Sequence, residues 1–355
     1  DKRFLAQELL EVEVPQDVPP GCVQAVGGRI RFCGTDLHGL RGVSEKLREI
    51  LEAGEVPQER LHGSTTVGHP EHILNVHERS ARIVRVGPGV SPELIGRNMA
   101  ALDELARRGI PFVPCTGRSL SGVEAYAELA NHPAVRYAIT STGSAVYDLR
   151  THQVIHACAL GRERTLAIYE RVRDLDVTFD IFSDGSVISE RWRYERLKGY
   201  RLDAPMQIHV LRSRTPVDLP VHEIVAQSRI VERVSIFNRM DDEGFGQGRR
   251  VKETVEAMEG LRWTSAHPAC VEVVDGRCSK GEALSWLCDH LGIERSSSVA
   301  FGDSHNDLEM IGTAGIGIAM GNAEEAVKAA AAMVAPTNDE AGVAQVLADL
   351  MQVGV

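Results

Sequence analysis

The sequence predicts an α/β protein built on a parallel sheet, with a separate α+β unit inserted into it. Short apolar runs alternate with amphipathic helical segments over residues 84–149 and again over 269–355. Such alternation is typical of parallel strands joined by helical crossovers. Between residues 150 and 268, short strand-like and helical segments are mixed instead. A chain of 355 residues, of which 43% are hydrophobic, is long enough for two packed domains.

The N-terminal part begins with an arm, residues 1–28, in which prolines interrupt any helix. The short strand-like run Arg29–Cys33 then predicts a strand, which we interpret as the first strand of the sheet, with residues 29–40 belonging to it. Residues 41–83 differ in character from the segments that follow. They hold four histidines without cysteines or regular ligand spacing, which favours a surface loop over a metal site. These histidines are His62, His69, His72 and His77.

The next elements follow the α/β pattern. A strand is predicted at Ala81–Val86, and Ser91-Pro92-Glu93 has the cap residue, proline and acid that begin a helix. The strand Ile110–Val113 leads into Thr116-Gly117-Arg118. Within the inserted unit, Gln207–Val210 predicts one of several short strands.

The strongest chemical pattern follows the apolar run Ser298–Phe301. Asp303 and Asp307 come directly after it, with Asn306 between them, and helical spacing starts at Leu308. Ligand sites of open α/β sheets form where strands end. Paired carboxylates at that edge suit a hard cation such as Mg²⁺.

In chain order, four segments resemble the motifs of the haloacid dehalogenase (HAD) superfamily, and more narrowly its Cof-type, or IIB, sugar-phosphatase branch. The segments are Asp36–Gly39, Thr116–Arg118, Lys280 at the start of a helix, and Gly302–Asp307. The resemblance implies a HAD-like Rossmannoid core over 29–40, 84–149 and 269–355, and an α+β cap domain over 150–268.

The resemblance also implies roles for individual residues. Asp36 matches the nucleophile that forms an aspartyl-phosphate, and Lys280 matches the cation that offsets the charge around it. Asp303, Asp307, Asp36 and the main-chain carbonyl of His38 match the ligands of Mg²⁺. The residues matched to substrate binding are Thr116, Gly117, Arg118, Lys280 and Asn306.

The first motif departs from the family pattern. His38 stands where the family has the aspartate that serves as general acid and base, and histidine can also move a proton near neutral pH. About fifty residues separate Leu40 from Val90, where the family has a short hairpin. We favour Asp36 as the end of the first strand, which makes residues 41–83 an insertion near the entrance of the site. In the alternative, Ala81–Val86 is that strand, and Val86–Gly89 occupies the motif without a carboxylate.

These patterns predict a Mg²⁺-dependent phosphatase that acts on a small phosphorylated metabolite, such as a sugar phosphate. The alternative is a catalytically impaired HAD-like protein that serves as a binding or structural subunit, with residues 1–28 and 41–83 contacting a protein partner. A sugar phosphomutase of the same branch is a weaker hypothesis, because it needs an acid–base group after the nucleophile that serves both half-reactions.

Composition limits the partners. The net charge of −11 argues against nucleic acid, whose binding depends on phosphate neutralisation, and no apolar run approaches the length of a membrane helix. Seven cysteines without paired spacing are typical of free thiols in a reducing compartment. We expect a cytoplasmic protein or, if a transit peptide has been lost, one of an organelle matrix or stroma.

Overall fold

The computed structural model describes residues 23–26, 29–32, 56–57, 73–77, 92–200, 202–239, 246–265 and 267–352. The strands, in chain order, are β1 Val23–Val26, β2 Arg29–Phe32, β3 Val56–Pro57, β4 Ile73–His77, β5 Phe112–Cys115, β6 Tyr137–Thr140, β7 Ala145–Asp148, β8 Gln153–Ala157, β9 Asp180–Ser183, β10 Ser186–Glu190, β11 Thr215–Val217, β12 Val231–Phe237, β13 Leu261–Thr264, β14 Cys270–Asp275, β15 Ser298–Gly302, β16 Ile316–Ala319 and β17 Met333–Val334.

The α-helices of the same residues are α1 Pro92–Arg108, α2 Leu120–Glu124, α3 Ala127–Ala130, α4 Arg162–Val172, α5 Arg191–Leu197, α6 Ala204–Ser213, α7 Val221–Gln227, α8 Gly248–Glu256, α9 Lys280–Leu291, α10 Leu308–Thr313, α11 Glu325–Ala330 and α12 Gly342–Gln352. None of these helices combines the length and the apolar character needed to cross a membrane.

The core domain is organised around an eight-stranded sheet in the order β17-β16-β15-β4-β5-β6-β7-β8. The strands from β17 to β6 pair in parallel, and β7 and β8 continue the sheet antiparallel. Successive residues of the buried strands β5 and β15 pack into two different apolar clusters, one with α1 and one with α9, so helices cover both faces, as expected for parallel strands. The predicted α/β fold class with a parallel sheet is therefore confirmed.

The cap domain has a six-stranded sheet in the order β11-β10-β9-β12-β14-β13. Its strands pair antiparallel except for β10 and β11. One face packs on α4, α7 and α8 through a separate apolar cluster that includes Ile168, Val225 and Val251. The cap sheet thus has an apolar core of its own.

The position expected for the first core strand is taken by β4. Its residues pair in parallel with β15 on one side and with β5 on the other. The strand β2, in contrast, pairs antiparallel with β1 and β3 in a separate three-stranded sheet. The interpretation of Arg29–Cys33 as the first core strand is therefore wrong, and Ile73–His77, which we expected in a surface loop, lies in the middle of the sheet.

Two domain boundaries and one element also differ from expectation. The core continues through β8 to Ala157 rather than ending at residue 149, and β14 belongs to the cap sheet rather than to the core. The predicted strand Gln207–Val210 lies within helix α6. That helix begins where the Asp203 side chain accepts a hydrogen bond from the Met206 amide at 2.9 Å, with a proline in the first turn.

Candidate functional site

The candidate site lies where the parallel strands of the core end. β15 leads to Asp303, β5 leads to Thr116, and β6 leads to the loop that starts at Ser141. The register places His77, the last residue of β4, beside Cys115. Since the carboxyl ends of neighbouring parallel strands form one edge, these segments converge.

Lys280 and Asp307 form a buried ion pair at the centre of this edge. The Lys280 ammonium lies 2.6 Å from Asp307 Oδ1 and 3.4 Å from Asn306 Oδ1, and both charged side chains are completely buried. Burial alone would lower the pKa of Lys280, but the charge of Asp307, with a smaller contribution from Asp303, raises it above the usual lysine value. Lys280 is therefore a fixed cation.

The second oxygen of Asp307 organises the turn that follows β15. Asp307 Oδ2 accepts hydrogen bonds from the main-chain amides of Asp303 and Ser304, each at 3.0 Å. Gly302 permits this arrangement, because a Cβ atom there would lie 2.5 Å from the Asp307 Cβ. Asp307 thus fixes the main chain that presents the partly exposed Asp303.

Thr116 is the buried first residue of the loop after β5. Its Oγ1 accepts a hydrogen bond from the Arg118 amide at 3.0 Å, which leaves its hydroxyl proton available to an incoming anion. Its main-chain oxygen accepts from the Thr142 amide at 3.0 Å. The loops after β5 and β6 therefore hold each other in place.

Gly143 lets the loop after β6 approach the start of α9. Its φ is +93°, and a Cβ atom would lie 2.2 Å from the Ser279 oxygen and 2.7 Å from the Lys280 amide nitrogen. Ser279 caps α9 by accepting from the Glu282 amide at 3.0 Å. We did not identify Gly143 from the sequence, although small residues directly after a strand are the signal for such a close approach.

Charged residues of the cap sheet that we also did not identify contact the core, among them Arg233, Glu272 and Glu232. Arg233 donates to the Gly117 oxygen at 2.6 Å and lies 3.4 Å from Glu272. Glu272 in turn accepts from Thr142 Oγ1 at 3.0 Å. Burial lowers the pKa of Arg233, while the charge of Glu272 opposes this effect. Glu232 accepts hydrogen bonds from two core hydroxyls, Ser141 Oγ and, at 2.7 Å, Tyr147 Oη. It also accepts from the Gly185 amide of its own domain at 2.9 Å.

A cleft of about 820 Å³, counted together with its open mouth, lies between the two domains. Arg118 Nη1 crosses it to lie 3.1 Å from His209 Nδ1 of the cap. Both domains contribute lining residues, and many of these are polar: Thr116, Gly117, Arg118, Ser119, Gly122, Phe182, Val187, Met206, His209, Val210, Ser213, Arg214, Arg233, Ser235, Phe237, His267, Cys270, Glu272, Ser304 and Asn306.

The oxygen donors at the end of β15 fit a hard divalent cation. Asp303 and Asp307 carry two negative charges, of which Lys280 offsets one. Asp303 retains solvent exposure, whereas both oxygens of Asp307 already accept hydrogen bonds. A cation would accordingly bind Asp303 most directly, and carboxylate oxygen is the ligand that Mg²⁺ prefers.

The structure brings most of the predicted site residues together. Thr116, Gly117, Arg118, Lys280, Asp303, Asn306 and Asp307 all lie at this edge or in the adjoining cleft. Asp36 and His38 lie outside the described residues, as does the alternative segment Val86–Gly89. Since β2 is not a strand of the core sheet, the end of the first strand is instead His77, which is followed in the sequence by Glu78.

Known proteins resemble this chain in sequence and in fold. The family of haloacid dehalogenase-like hydrolases matches residues 93–347. The HMP-PP phosphatase of Klebsiella pneumoniae (strain 342) is 27% identical over 235 residues, which cover 66% of this chain and 79% of that protein.

Two solved structures share the fold. A haloacid dehalogenase-like hydrolase from B. subtilis has a TM-score of 0.64 at 23% identity and covers 78% of this chain and 98% of its own. A HAD subclass IIB sugar phosphatase has a TM-score of 0.63 at 19% identity, and the match covers 79% of this chain and 99% of that structure's chain. The predicted family is confirmed, and so is the predicted enzyme class of HAD-like phosphoric monoester hydrolases.

Proposed function

The chain belongs to the haloacid dehalogenase-like hydrolases, and we propose that it is a Mg²⁺-dependent phosphatase for a small phosphorylated metabolite of the sugar phosphate class. The observation that carries the proposal is that Thr116 and Asn306 line the cleft beneath the cap, where Asn306 also contacts the buried Lys280. Lys280 pairs with Asp307, and Asp307 holds the main chain of Asp303. A phosphoryl group would bind well where a cation, a hydroxyl donor and a pair of carboxylates lie close together. Its transfer depends on charge stabilisation and positioning.

Each residue has a distinct part in this proposal. Lys280 offsets the negative charge of the phosphate, and Thr116 donates its hydroxyl proton to a phosphate oxygen. Arg118 orients the substrate from the side of the cleft. Asp303 and Asp307 would hold Mg²⁺, which supplies further positive charge at the phosphate.

The polar lining supports a hydroxylated substrate. Arg118, His209, Ser213, His267 and Glu272 provide hydrogen-bond donors and acceptors from both domains. A sugar presents hydroxyl groups in several directions and would engage groups of this kind, whereas a long apolar ligand would leave them unpaired.

Hydrolysis in this family would proceed through a carboxylate that attacks phosphorus, releases the alcohol and forms an acyl phosphate, which water then cleaves. The sequence motif proposes Asp36 as that carboxylate and His38 as the acid–base group. Since β4 takes the first strand position, Glu78 directly after it is a second carboxylate to test.

The first experiment measures release of aryl alcohol and phosphate from an aryl phosphate across a Mg²⁺ titration, with Mg²⁺ binding followed by calorimetry. We expect Asp303→Asn to lower turnover by about 10²–10³-fold, the range for losing one element of charge stabilisation, and to weaken Mg²⁺ binding. Asp289→Asn is the matched control, because Asp289 is exposed and lies 3.8 Å from Arg295 on the surface. Turnover that is independent of Mg²⁺, or unchanged by Asp303→Asn, would contradict the proposal.

The nucleophile is tested separately with Asp36→Asn and Glu78→Gln, by trapping the acyl phosphate from labelled substrate in acid. The variant that abolishes both the trapped label and turnover identifies the carboxylate. Mg²⁺ binding without any turnover in the wild type would favour the catalytically impaired binding subunit, and transfer to a second sugar hydroxyl without phosphate release would favour a mutase.

A further inference from the structure

The described chain passes between the core and cap domains twice, and each crossing carries a cysteine. The first crossing, residues 158–161, joins β8 of the core to α4 of the cap. The second, residues 276–279, joins β14 of the cap to α9 of the core. Cys158 opens the first crossing, and Cys278 lies in the second, two residues before Lys280.

These two cysteines face each other across the crossings. Their Sγ atoms and a carboxylate oxygen of Asp275 all lie within 4.8 Å of one another. The Cys278 thiol donates a hydrogen bond to the Cys158 main-chain oxygen, and both cysteines are free thiols. A disulfide requires the two sulfur atoms to approach to about 2 Å, and in the reduced protein they already lie within 4.8 Å of each other.

A metal ion is a poorer occupant of this place than a disulfide. The Asp275 carboxylate already accepts hydrogen bonds from Arg277 Nε at 2.9 Å, from Arg277 Nη2 at 3.1 Å and from Arg164. Since two guanidinium groups engage both of its oxygens, Asp275 offers little to a cation. The thiols remain as the reactive pair.

The environments of the two thiols differ in the way that a sequential reaction requires. Cys158 is half-buried, and the hydrogen bond with Cys278 lowers the pKa of its thiol. Cys278 is fully buried, and the hydrogen bond with Cys158, together with burial, raises the pKa of its thiol. Because Cys158 is the more exposed of the two thiols, an external reagent reaches it first.

We propose that Cys158 and Cys278 form a reversible disulfide across the two domain crossings by exchange with a low-molecular-weight disulfide such as glutathione disulfide. The Cys158 thiolate attacks one sulfur of glutathione disulfide, which breaks that S–S bond and releases one glutathione thiolate. The Cys278 thiol loses its proton to the released thiolate and attacks Cys158 Sγ, which expels the second glutathione. Two protein thiols are oxidised and one glutathione disulfide is reduced to two thiols.

This bond would join the two segments that connect the cap to the core and would fix the main chain just before Lys280. Opening and closing of lids and domains controls the rate of many enzymes. Oxidation is accordingly expected to lower phosphatase turnover, and a thiol reductant to restore it. The activity part of this inference rests on the proposed function, whereas the disulfide itself does not.

The test treats the full chain with glutathione disulfide in a Cys22→Ser/Cys33→Ser background, so that cysteines outside the described residues do not react. Intact mass and peptide mapping measure whether two hydrogen atoms are lost and a Cys158–Cys278 peptide appears. Cys158→Ser should lose the cross-link and keep its turnover under oxidation. Cys270→Ser is the control, because Cys270 is buried in β14 and should leave the cross-link unchanged.

The outcomes are separable. A Cys158–Cys278 peptide with reversible loss of turnover supports the inference, whereas stable glutathione on Cys158 without the cross-link overturns it. A cross-link that leaves turnover unchanged overturns the effect on the cap. If the reduced wild type shows no phosphatase activity, the proposed function fails, and the mapped peptide still decides whether the disulfide forms.

Discussion

The Lys280 ammonium lies 2.6 Å from the Asp307 carboxylate, and neither side chain has any exposed surface. Removing one member of such a pair leaves the other as an uncompensated buried charge, which typically costs about 3–5 kcal/mol. Removing both charges costs far less, since the two desolvation penalties disappear together. The contribution of this pair to the free energy of unfolding can therefore be measured separately from its contribution to turnover.

We predict that Lys280→Gln lowers the free energy of unfolding by about 3–5 kcal/mol, because the Asp307 charge remains buried. The double variant Lys280→Gln/Asp307→Asn should regain most of this stability but none of the lost turnover, since the fixed cation at the phosphate is still absent. Urea unfolding and aryl phosphate hydrolysis measure the two effects. If turnover returned together with stability, Lys280 would have no role beyond holding the fold.

The sequence predicts those site residues whose polar or charged side chains follow a predicted strand closely. Asp303 and Thr116 come shortly after apolar runs, and Asp307 lies four residues beyond Asp303. Parallel strands bring such positions to one edge of the sheet. Arg233 and Glu272 could not be predicted in this way, because they lie within cap strands and reach the core only through the packing of one domain on the other.

The first strand shows the limit of pattern reasoning most clearly. Arg29–Cys33 and Ile73–His77 both mix apolar and polar residues over five positions, and either satisfies the local requirements for a strand. Only pairing with β15 and β5 distinguishes them, and pairing is a long-range property. Helix α6 is not predicted for a related reason. Apolar and polar residues alternate over Gln207–Val210 as they do in a strand, and the helix-capping Asp203 lies before this segment.

Gly143→Ala should disturb the site, whereas Gly109→Ala should not. Both glycines have positive φ values, +93° and +72°, so alanine carries a backbone cost of about 1–2 kcal/mol at either position. At Gly143 the new Cβ would also overlap the Ser279 oxygen, which lies 2.2 Å away, whereas nothing lies within 4 Å at Gly109. We expect Gly143→Ala to lower the melting temperature more than Gly109→Ala does, and only Gly143→Ala to lower turnover. Equal effects of the two substitutions would contradict the close approach.

Arg233→Met should weaken substrate binding by loosening the cap. The guanidinium donates to the Gly117 oxygen and to Ser235 Oγ, both at 2.6 Å. Hydrogen bonds to charged groups contribute about 1.5–3 kcal/mol each, so we expect KM to rise about 10- to 100-fold. Arg229→Met is the matched control, because Arg229 is an exposed arginine of the same domain, 3.5 Å from Asp184. A KM that stays at the wild-type value in steady-state kinetics would show that this contact does not hold the cap.

Asp275→Asn should destabilise the protein near neutral pH, and the difference from the wild type should vanish in acid. Hydrogen bonds from Arg277 lower the pKa of Asp275 from 3.8 to about 2, and the charge of Arg164 adds to this effect. Because the folded-state pKa is depressed, the stabilisation is fully present above the unfolded value and is lost as pH falls through the folded one. Urea unfolding should therefore show the two proteins converging between pH of about 4 and about 2. The gap should also narrow with salt, since Arg277 is 81% exposed and its charge is screened. Asp289→Asn provides the comparison, because the Asp289 carboxylate is exposed and its nearest cation, Arg295, lies 3.8 Å away on the surface. A difference that stayed constant across this pH range would mean that Asp275 stabilises the fold through packing rather than through its charge.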